Sequence, residues 1–88
     1  MATVEICCVR DRAIDSFGNP FAVVALGQAT RSFSDEVRNP ESQISRHPDD
    51  YDLYHVGSFD TSTGKLVPRE TPEMIAIGKS IADASVPS

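Results

Sequence analysis

The alternation of apolar and polar residues at the start of the chain predicts a β-strand over residues 3–9. Three apolar side chains alternate with three others along it: Val4, Ile6 and Cys8 against Thr3, Glu5 and Cys7. A period of two is typical of a strand with one buried face, so we expect Cys8 in the core and Cys7 on the opposite face. Both are expected as free thiols, because neighbouring strand side chains point apart and a disulfide between them would strain the backbone.

Residues 51–67 have the pattern of a β-hairpin. Strand formers dominate residues 51–59, turn residues follow with Gly64 where a positive φ is needed, and residues 65–67 form the return strand. Pro68 restricts that return strand to an edge of the sheet, because proline donates no backbone hydrogen bond. Two sets of side chains alternate along the first strand: Tyr51, Leu53, His55, Gly57 and Phe59 on one face, and Asp52, Tyr54, Val56, Ser58 and Asp60 on the other. Since rings occur on both faces, we expect a helix to cover one face and a partner or second subunit to contact the other.

Apolar residues at helical spacing predict a central helix over residues 28–38. Its apolar stripe recurs every three or four positions: Leu26, Ala29, Phe33 and Val37. Pro40 ends this helix, because a proline disfavours helical geometry at the residue before it. The apolar residues 21–26 are consistent with either a second strand or an extended lead into the helix.

A second helix is predicted near the end of the chain. The sequence Thr71-Pro72-Glu73 supplies a cap, a proline in the first turn and an acid at the positive end of the helix dipole. Met74, Ile77 and Ile81 would line this helix, and Gly78 would weaken it by about 1 kcal/mol relative to alanine. Residues 84–88 are expected to fray, and the helix either closes the core or meets a second subunit.

Together these elements predict one small α+β domain over residues 1–88. The N-terminal strand and the hairpin form a mostly antiparallel sheet, with one central helix and a C-terminal helix. The alternative is a five-stranded oligonucleotide-binding barrel, which needs two strands beyond the three that the pattern supports. A homodimer is consistent with a sheet this small, because its edges stay exposed.

The net charge of −5 argues against a broad nucleic-acid-binding surface, because such surfaces are basic. Residues 1–48 carry five arginines and six acids, whereas residues 49–88 carry three bases and seven acids, so any phosphate contact is expected in the first half. No apolar run approaches the roughly 20 residues that span a bilayer, and Met-Ala-Thr-Val-Glu at the N-terminus lacks a basic region followed by a hydrophobic one, so we expect a cytoplasmic protein.

Several residues are candidates for binding, each with a structural alternative. The outer face of the central helix carries Arg31, Asp35 and Arg38. This face is either solvated, with weak ion pairs within the helix, or an arginine surface that binds phosphate or an acidic partner. His47, held extended by Pro48, is a phosphate or proton-transfer candidate or a structural residue. The rings of the hairpin strand are placed to stack on bases or to pack at the core margin.

No pattern of catalytic residues occurs in the chain. Nucleophile elbow, phosphate-binding glycine loop, zinc ligand set and paired carboxylates are all missing, and Asp49 and Asp50 are typical turn residues. We therefore expect a protein that is not an enzyme and uses neither cofactor nor metal.

Seven short motifs follow one another in order between residues 17 and 68: Pro20-Phe21, Arg31-Ser32-Phe33, Asn39-Pro40-Glu41-Ser42, Ser45-Arg46-His47-Pro48, Asp50-Tyr51-Asp52-Leu53-Tyr54, Gly57-Ser58-Phe59-Asp60 and Thr63-Gly64-Lys65-Leu66-Val67. In these motifs the chain resembles the small nonstructural protein encoded by the fifth open reading frame of gokushoviruses, which are single-stranded DNA phages of the microvirus group. The stretch from Pro40 to Gly64 carries most of the resemblance. No catalytic residue is implied by it.

The resemblance implies a role in genome replication in the host bacterial cytoplasm. One hypothesis is that the protein binds single-stranded DNA and favours single-strand genome synthesis. The other is an acidic adaptor that docks on the phage initiator or a host replication protein without binding DNA. Under either hypothesis the candidate binding residues are Arg31, Arg38, Arg46, His47, Tyr51 and Tyr54.

Overall fold

The computed structural model describes residues 2–84. In this range the chain forms five strands, three α-helices and a short 3-10 turn at Pro48–Asp50. The strands are β1 (Thr3–Asp11), β2 (Ser16–Phe17), β3 (Phe21–Val23), β4 (Tyr51–Asp60) and β5 (Leu66–Ile77). The helices are α1 (Leu26–Arg38), α2 (Gln43–Arg46) and α3 (Gly78–Ala84).

A single antiparallel sheet has the strand order β2-β1-β4-β5, and β3 pairs with the same strand β1 further along. This confirms the predicted α+β class, in which the N-terminal strand joins the hairpin and a central and a C-terminal helix complete the fold. Within residues 2–84 neither β2 nor β3 pairs with β5, so the sheet does not close on itself and the barrel alternative is wrong.

The core lies between α1 and one face of the sheet. Its buried residues come from both layers: Cys7, Ala29, Phe33, Val37 and Leu53. The helical stripe is therefore confirmed, although α1 begins at Leu26, two residues earlier than predicted. The Gln28 side chain explains this start, because its Oε1 accepts hydrogen bonds from the backbone N–H groups of Val24 (2.9 Å) and Ala25 (3.4 Å).

The hairpin turn follows the sequence prediction closely. Gly64 has a φ of 76°, in the left-handed region that glycine adopts without strain. Asp60 organises the turn, since its Oδ1 accepts hydrogen bonds from the backbone N–H groups of Ser62 (2.8 Å) and Thr63 (3.4 Å).

The predicted helix after Thr71 is wrong. Strand β5 continues to Ile77, pairing Glu73 with His55 and Met74 with Tyr54 across β4, and α3 begins only at Gly78. Pro72 fits because the residues between Pro68 and Glu73 bulge away from β4, where a missing N–H costs no ladder bond. A helix cap at Thr71 would stabilise a helix by only about 1 kcal/mol. Pairing of β5 with β4 over the length of the strand outweighs this contribution.

Cys7 and Cys8 are both free and buried, but their faces are opposite to those predicted. Cys7 belongs to the core under α1, whereas Cys8 pairs with Tyr54 and lies outside that core cluster. The alternation of the β1 side chains was predicted correctly, but the face of β1 that is covered was not. The packing of α1 decides which face of β1 is inside, and the pattern of β1 alone does not specify it. Burial raises the pKa of both thiols.

The C-terminal helix closes the core rather than standing apart from it. Ile81 and Ala82 pack against the buried cluster. Apart from Ala84, the tail expected to fray lies outside the described residues. Among residues 2–84, no helix has the length and apolar character needed to cross a membrane.

Candidate nucleic-acid interface

The sheet face opposite α1, which we call the open face, is defined by cross-strand pairing. Cys8 pairs with Tyr54, and Arg10 pairs with Asp52 on one side and with Phe17 on the other. Because paired strand residues point to the same side, these residues all belong to the face that α1 leaves uncovered. Further along β5, this face continues to Met74 and Ile77 through their pairing with Tyr54 and Asp52.

Two rings and a guanidinium lie together on the open face. The centroids of Phe17 and Tyr54 are 5.1 Å apart, with an interplanar angle of 75°, an edge-to-face arrangement. The Arg10 Cζ atom lies 5.9 Å from the Phe17 ring centroid, within cation–π range. Phe17 is 45% exposed. We call Arg10, Phe17 and Tyr54 the ring–arginine cluster.

Each arginine at this end of β1 has an acidic partner. Arg10 donates from Nη2 to Oδ1 of Asp15, and this hydrogen bond raises the pKa of the Arg10 guanidinium. Arg12 donates from Nε to Oδ2 of Asp52 at 2.6 Å, which likewise raises the pKa of Arg12. The two partners differ in burial: the side chain of Asp15 is 81% exposed, whereas Asp52 is fully buried.

The three arginines chosen from the sequence lie elsewhere. Arg31 and Arg38 are on the exposed side of α1, seven residues and therefore about 10 Å apart along the helix axis, and Arg46 ends α2. None of the three forms an ion pair among residues 2–84, and the Arg31–Asp35 pair that the spacing allows is not made. The other three arginines each have an acidic partner: Arg10 and Arg12 as described above, and Arg69 through Glu73, at 3.9 Å.

Tyr51 and Tyr54 lie on opposite faces of β4. Tyr51 packs against the core under α1, and burial, with smaller effects from Asp11 and Asp50, raises its pKa. His47 is exposed between α2 and the 3-10 turn. The six predicted binding residues therefore do not form one site: Tyr54 lies on the open face, and the other five belong to the helical side of the molecule.

A buried histidine, His55, lies on the covered face of the sheet, where it pairs with Cys7. Its Nε2 lies 2.9 Å from Oε1 of Glu5, and its two ring nitrogens have no well-aligned hydrogen bond in the described part of the chain. Over the same residues no three His, Cys, Asp or Glu side chains are grouped closely enough to hold a metal ion.

The family of the chain follows from a comparison of its sequence with known families. The model of the family described as Phage ORF5 protein matches residues 4–82. The chain belongs to this family. Searches of the curated proteins and of the solved structures gave no significant match.

The family match extends well beyond the seven motifs of residues 17–68. It includes nearly all of β1, the whole of β5 and most of α3, so the complete ring–arginine cluster lies inside the range that the family model matches. The chain is thus a phage protein, and its open face is built from segments that the family model spans.

Sequence reasoning missed Arg10 and Phe17 as candidate binding residues. Arg10 stood in a charged strand end and Phe17 in a turn-forming segment, so neither belonged to a recognisable motif. Only the short pairing of β2 with the end of β1 brings Phe17 beside Arg10, and only the pairing of β1 with β4 brings Tyr54 to them.

Proposed function

We propose that this phage protein is a gokushovirus nonstructural protein that acts in genome replication in the host cytoplasm, by binding single-stranded DNA on its open face. The ring–arginine cluster is the observation that carries the proposal. A sheet covered by helices on one side and carrying rings on the other is a common platform for unpaired bases. The proposed action is binding only, with no reaction, cofactor or metal.

The exposed ring of Phe17 supports base stacking. An aromatic side chain that is 45% exposed on an uncovered sheet contributes little to the core, whereas stacking on a base is worth about 1–3 kcal/mol. The neighbouring Arg10 guanidinium, whose Cζ atom lies 5.9 Å from the centroid of the Phe17 ring, provides a positive charge beside the stacking surface. Rings and charge therefore lie on the same face, as a single-strand site requires.

The unpaired arginines Arg31, Arg38 and Arg46 support a second, purely electrostatic contact. Having no acidic partner among residues 2–84, they lose no ion pair on meeting a phosphate. Three acids, Asp35, Glu36 and Glu41, occur in the same segment, so this contact is expected to be weak and sensitive to salt.

Fluorescence polarisation with a labelled thymidine oligonucleotide tests the proposal. We expect binding at low salt that weakens as salt rises, and a loss of affinity in Phe17→Leu and Tyr54→Leu. Val24→Ala is the control, because Val24 is 73% exposed and lies outside the cluster. Absence of binding at low salt, or equal affinity of Phe17→Leu and Val24→Ala, would contradict the proposal.

A second candidate function is the acidic adaptor, which the exposed apolar side chains of β5 favour. Four of them are 38–65% exposed: Leu66, Val67, Met74 and Ile77. An apolar strand surface on an acidic half-chain suits docking on a basic protein. A pull-down with the phage replication initiator tests this function, and a protein that retains DNA but not the initiator would argue against it.

A further inference from the structure

Asp15 is not part of the ring–arginine cluster, but its side chain forms an ion pair with the Arg10 guanidinium of that cluster. It ends the tight turn that follows β1, where its backbone N–H donates to the carbonyl oxygen of Arg12 at 3.3 Å. Its φ of 51° lies in the left-handed region, which directs the chain back into β2. Its carboxylate accepts the hydrogen bond from Arg10 while its side chain remains 81% exposed.

The Asp15 carboxylate binds the Arg10 guanidinium as a phosphate group would. A carboxylate oxygen of Asp15 accepts a hydrogen bond from the guanidinium that flanks the exposed Phe17 ring, and a phosphate oxygen is an acceptor of the same kind for that guanidinium. Arginine binds carboxylates and phosphates through the same fork of N–H donors, so the two anions compete for one position. Because the Asp15 carboxylate is solvated, its ion pair with Arg10 is weak and exchanges readily.

We propose that Asp15 is an internal competitor for the phosphate position of the single-stranded DNA site, occupying Arg10 until a DNA phosphate displaces it. The proposal rests on the function proposed above. It assigns Arg10 to the phosphate that adjoins the base stacked on Phe17, and it assigns Asp15 the role of lowering DNA affinity.

Asp15→Asn tests this role without changing the turn, because asparagine adopts a positive φ readily. The variant keeps the shape of the side chain and removes the charge that competes for Arg10. We expect its affinity for the thymidine oligonucleotide to rise about two- to fivefold, the range of an exposed ion pair. The double variant Asp15→Asn with Arg10→Ala is expected to lose this gain.

Glu70→Gln is the matched control. It removes one negative charge from an exposed acid that has no ion pair in residues 2–84, so it reports the effect of net charge alone. An equal gain in Asp15→Asn and Glu70→Gln, or a gain that survives Arg10→Ala, would overturn the proposal.

The two proposals fail in different ways. If wild-type protein and Asp15→Asn both fail to bind the oligonucleotide at low salt, the binding function is wrong and the role of Asp15 is wrong with it. If the wild type binds and Phe17→Leu weakens binding, but Asp15→Asn behaves as Glu70→Gln does, only the competitor role is wrong.

Discussion

The backbone of Gly78 lies directly against Pro48: a Cβ atom on Gly78 would be 2.4 Å from the carbonyl oxygen of Pro48. It would also be 2.5 Å from the carbonyl oxygen of Tyr51. Both neighbours are backbone atoms that no side-chain rotation can move. The glycine that helix propensity would treat as a weak point is therefore what allows α3 to begin against the 3-10 turn and the start of β4.

Gly78→Ala is expected to destabilise the protein by about 1–3 kcal/mol, the usual cost of forcing extra volume into a packed site. The matched control is Gly27→Ala in α1, where an added Cβ would contact nothing within 4 Å. Alanine is the better helix former, so this control should be about 0.5–1 kcal/mol more stable than wild type. Urea denaturation followed by circular dichroism measures both, and equal stability of the two variants would contradict the packing described for Gly78.

Arg12→Ala is expected to lower the melting temperature by several degrees. It leaves the fully buried Asp52 carboxylate without the guanidinium that compensates its charge. Arg31→Ala, which removes an exposed arginine with no ion pair among residues 2–84, should leave the melting temperature nearly unchanged. Adding Asp52→Asn to Arg12→Ala should restore part of the loss; a loss that persists in full would mean that the charge of Asp52 is not its cause.

Stability is expected to fall as the pH rises above about 8.5, the pKa of an unfolded thiol. Burial raises the pKa of Cys7, with smaller contributions from Cys8 and Glu5, and burial also raises that of Cys8. Above the unfolded pKa the unfolded state loses thiol protons that the folded state keeps, so the free energy of unfolding decreases with pH. Below that pH the thiols are protonated in both states, so their contribution to the free energy of unfolding is fully present.

Urea denaturation at pH 7.5, 8.5 and 9.5 measures this dependence. The raised pKa of Tyr51 adds to the loss at still higher pH, so the comparison is best made below pH 10. A double variant, Cys7→Ala with Cys8→Ala, is expected to be less stable at every pH but to show a flatter profile. An unchanged slope in the double variant would assign the alkaline loss to other groups.

The two parts of the proposed DNA contact are expected to respond differently to salt. Removing Arg31, Arg38 and Arg46 together should reduce the slope of log affinity against log salt by up to about 2, since each phosphate contact on a single strand contributes about 0.7. Phe17→Leu should instead lower the affinity at every salt concentration and leave the slope nearly constant. Arg69→Ala is the control, because Arg69 already faces Glu73. A slope that the triple substitution does not change would exclude the helical arginines from the contact.

Much of the local structure was predictable from the sequence, because it depends on neighbouring residues. The alternation in β1, the apolar stripe of α1 and the turn at Gly64 are each encoded within about a dozen positions. The α+β class followed from these elements. Arg31 and Arg38 were predicted on the outer face of the central helix and are exposed there, whereas the binding role of the chosen arginines stays a proposal.

The tertiary structure decided which of the local signals prevailed. Thr71-Pro72-Glu73 has the features of a helix start, yet pairing with His55 and Tyr54 across β4 makes this segment part of a strand. Similarly, the pattern of β1 does not specify whether Cys7 or Cys8 lies under α1. The ring–arginine cluster unites residues from three strands, as far apart as Arg10 and Tyr54. Periodicity is a property of a segment, whereas the covered face, the strand partner and the composition of a site depend on contacts between distant segments, and these form only when the whole chain packs.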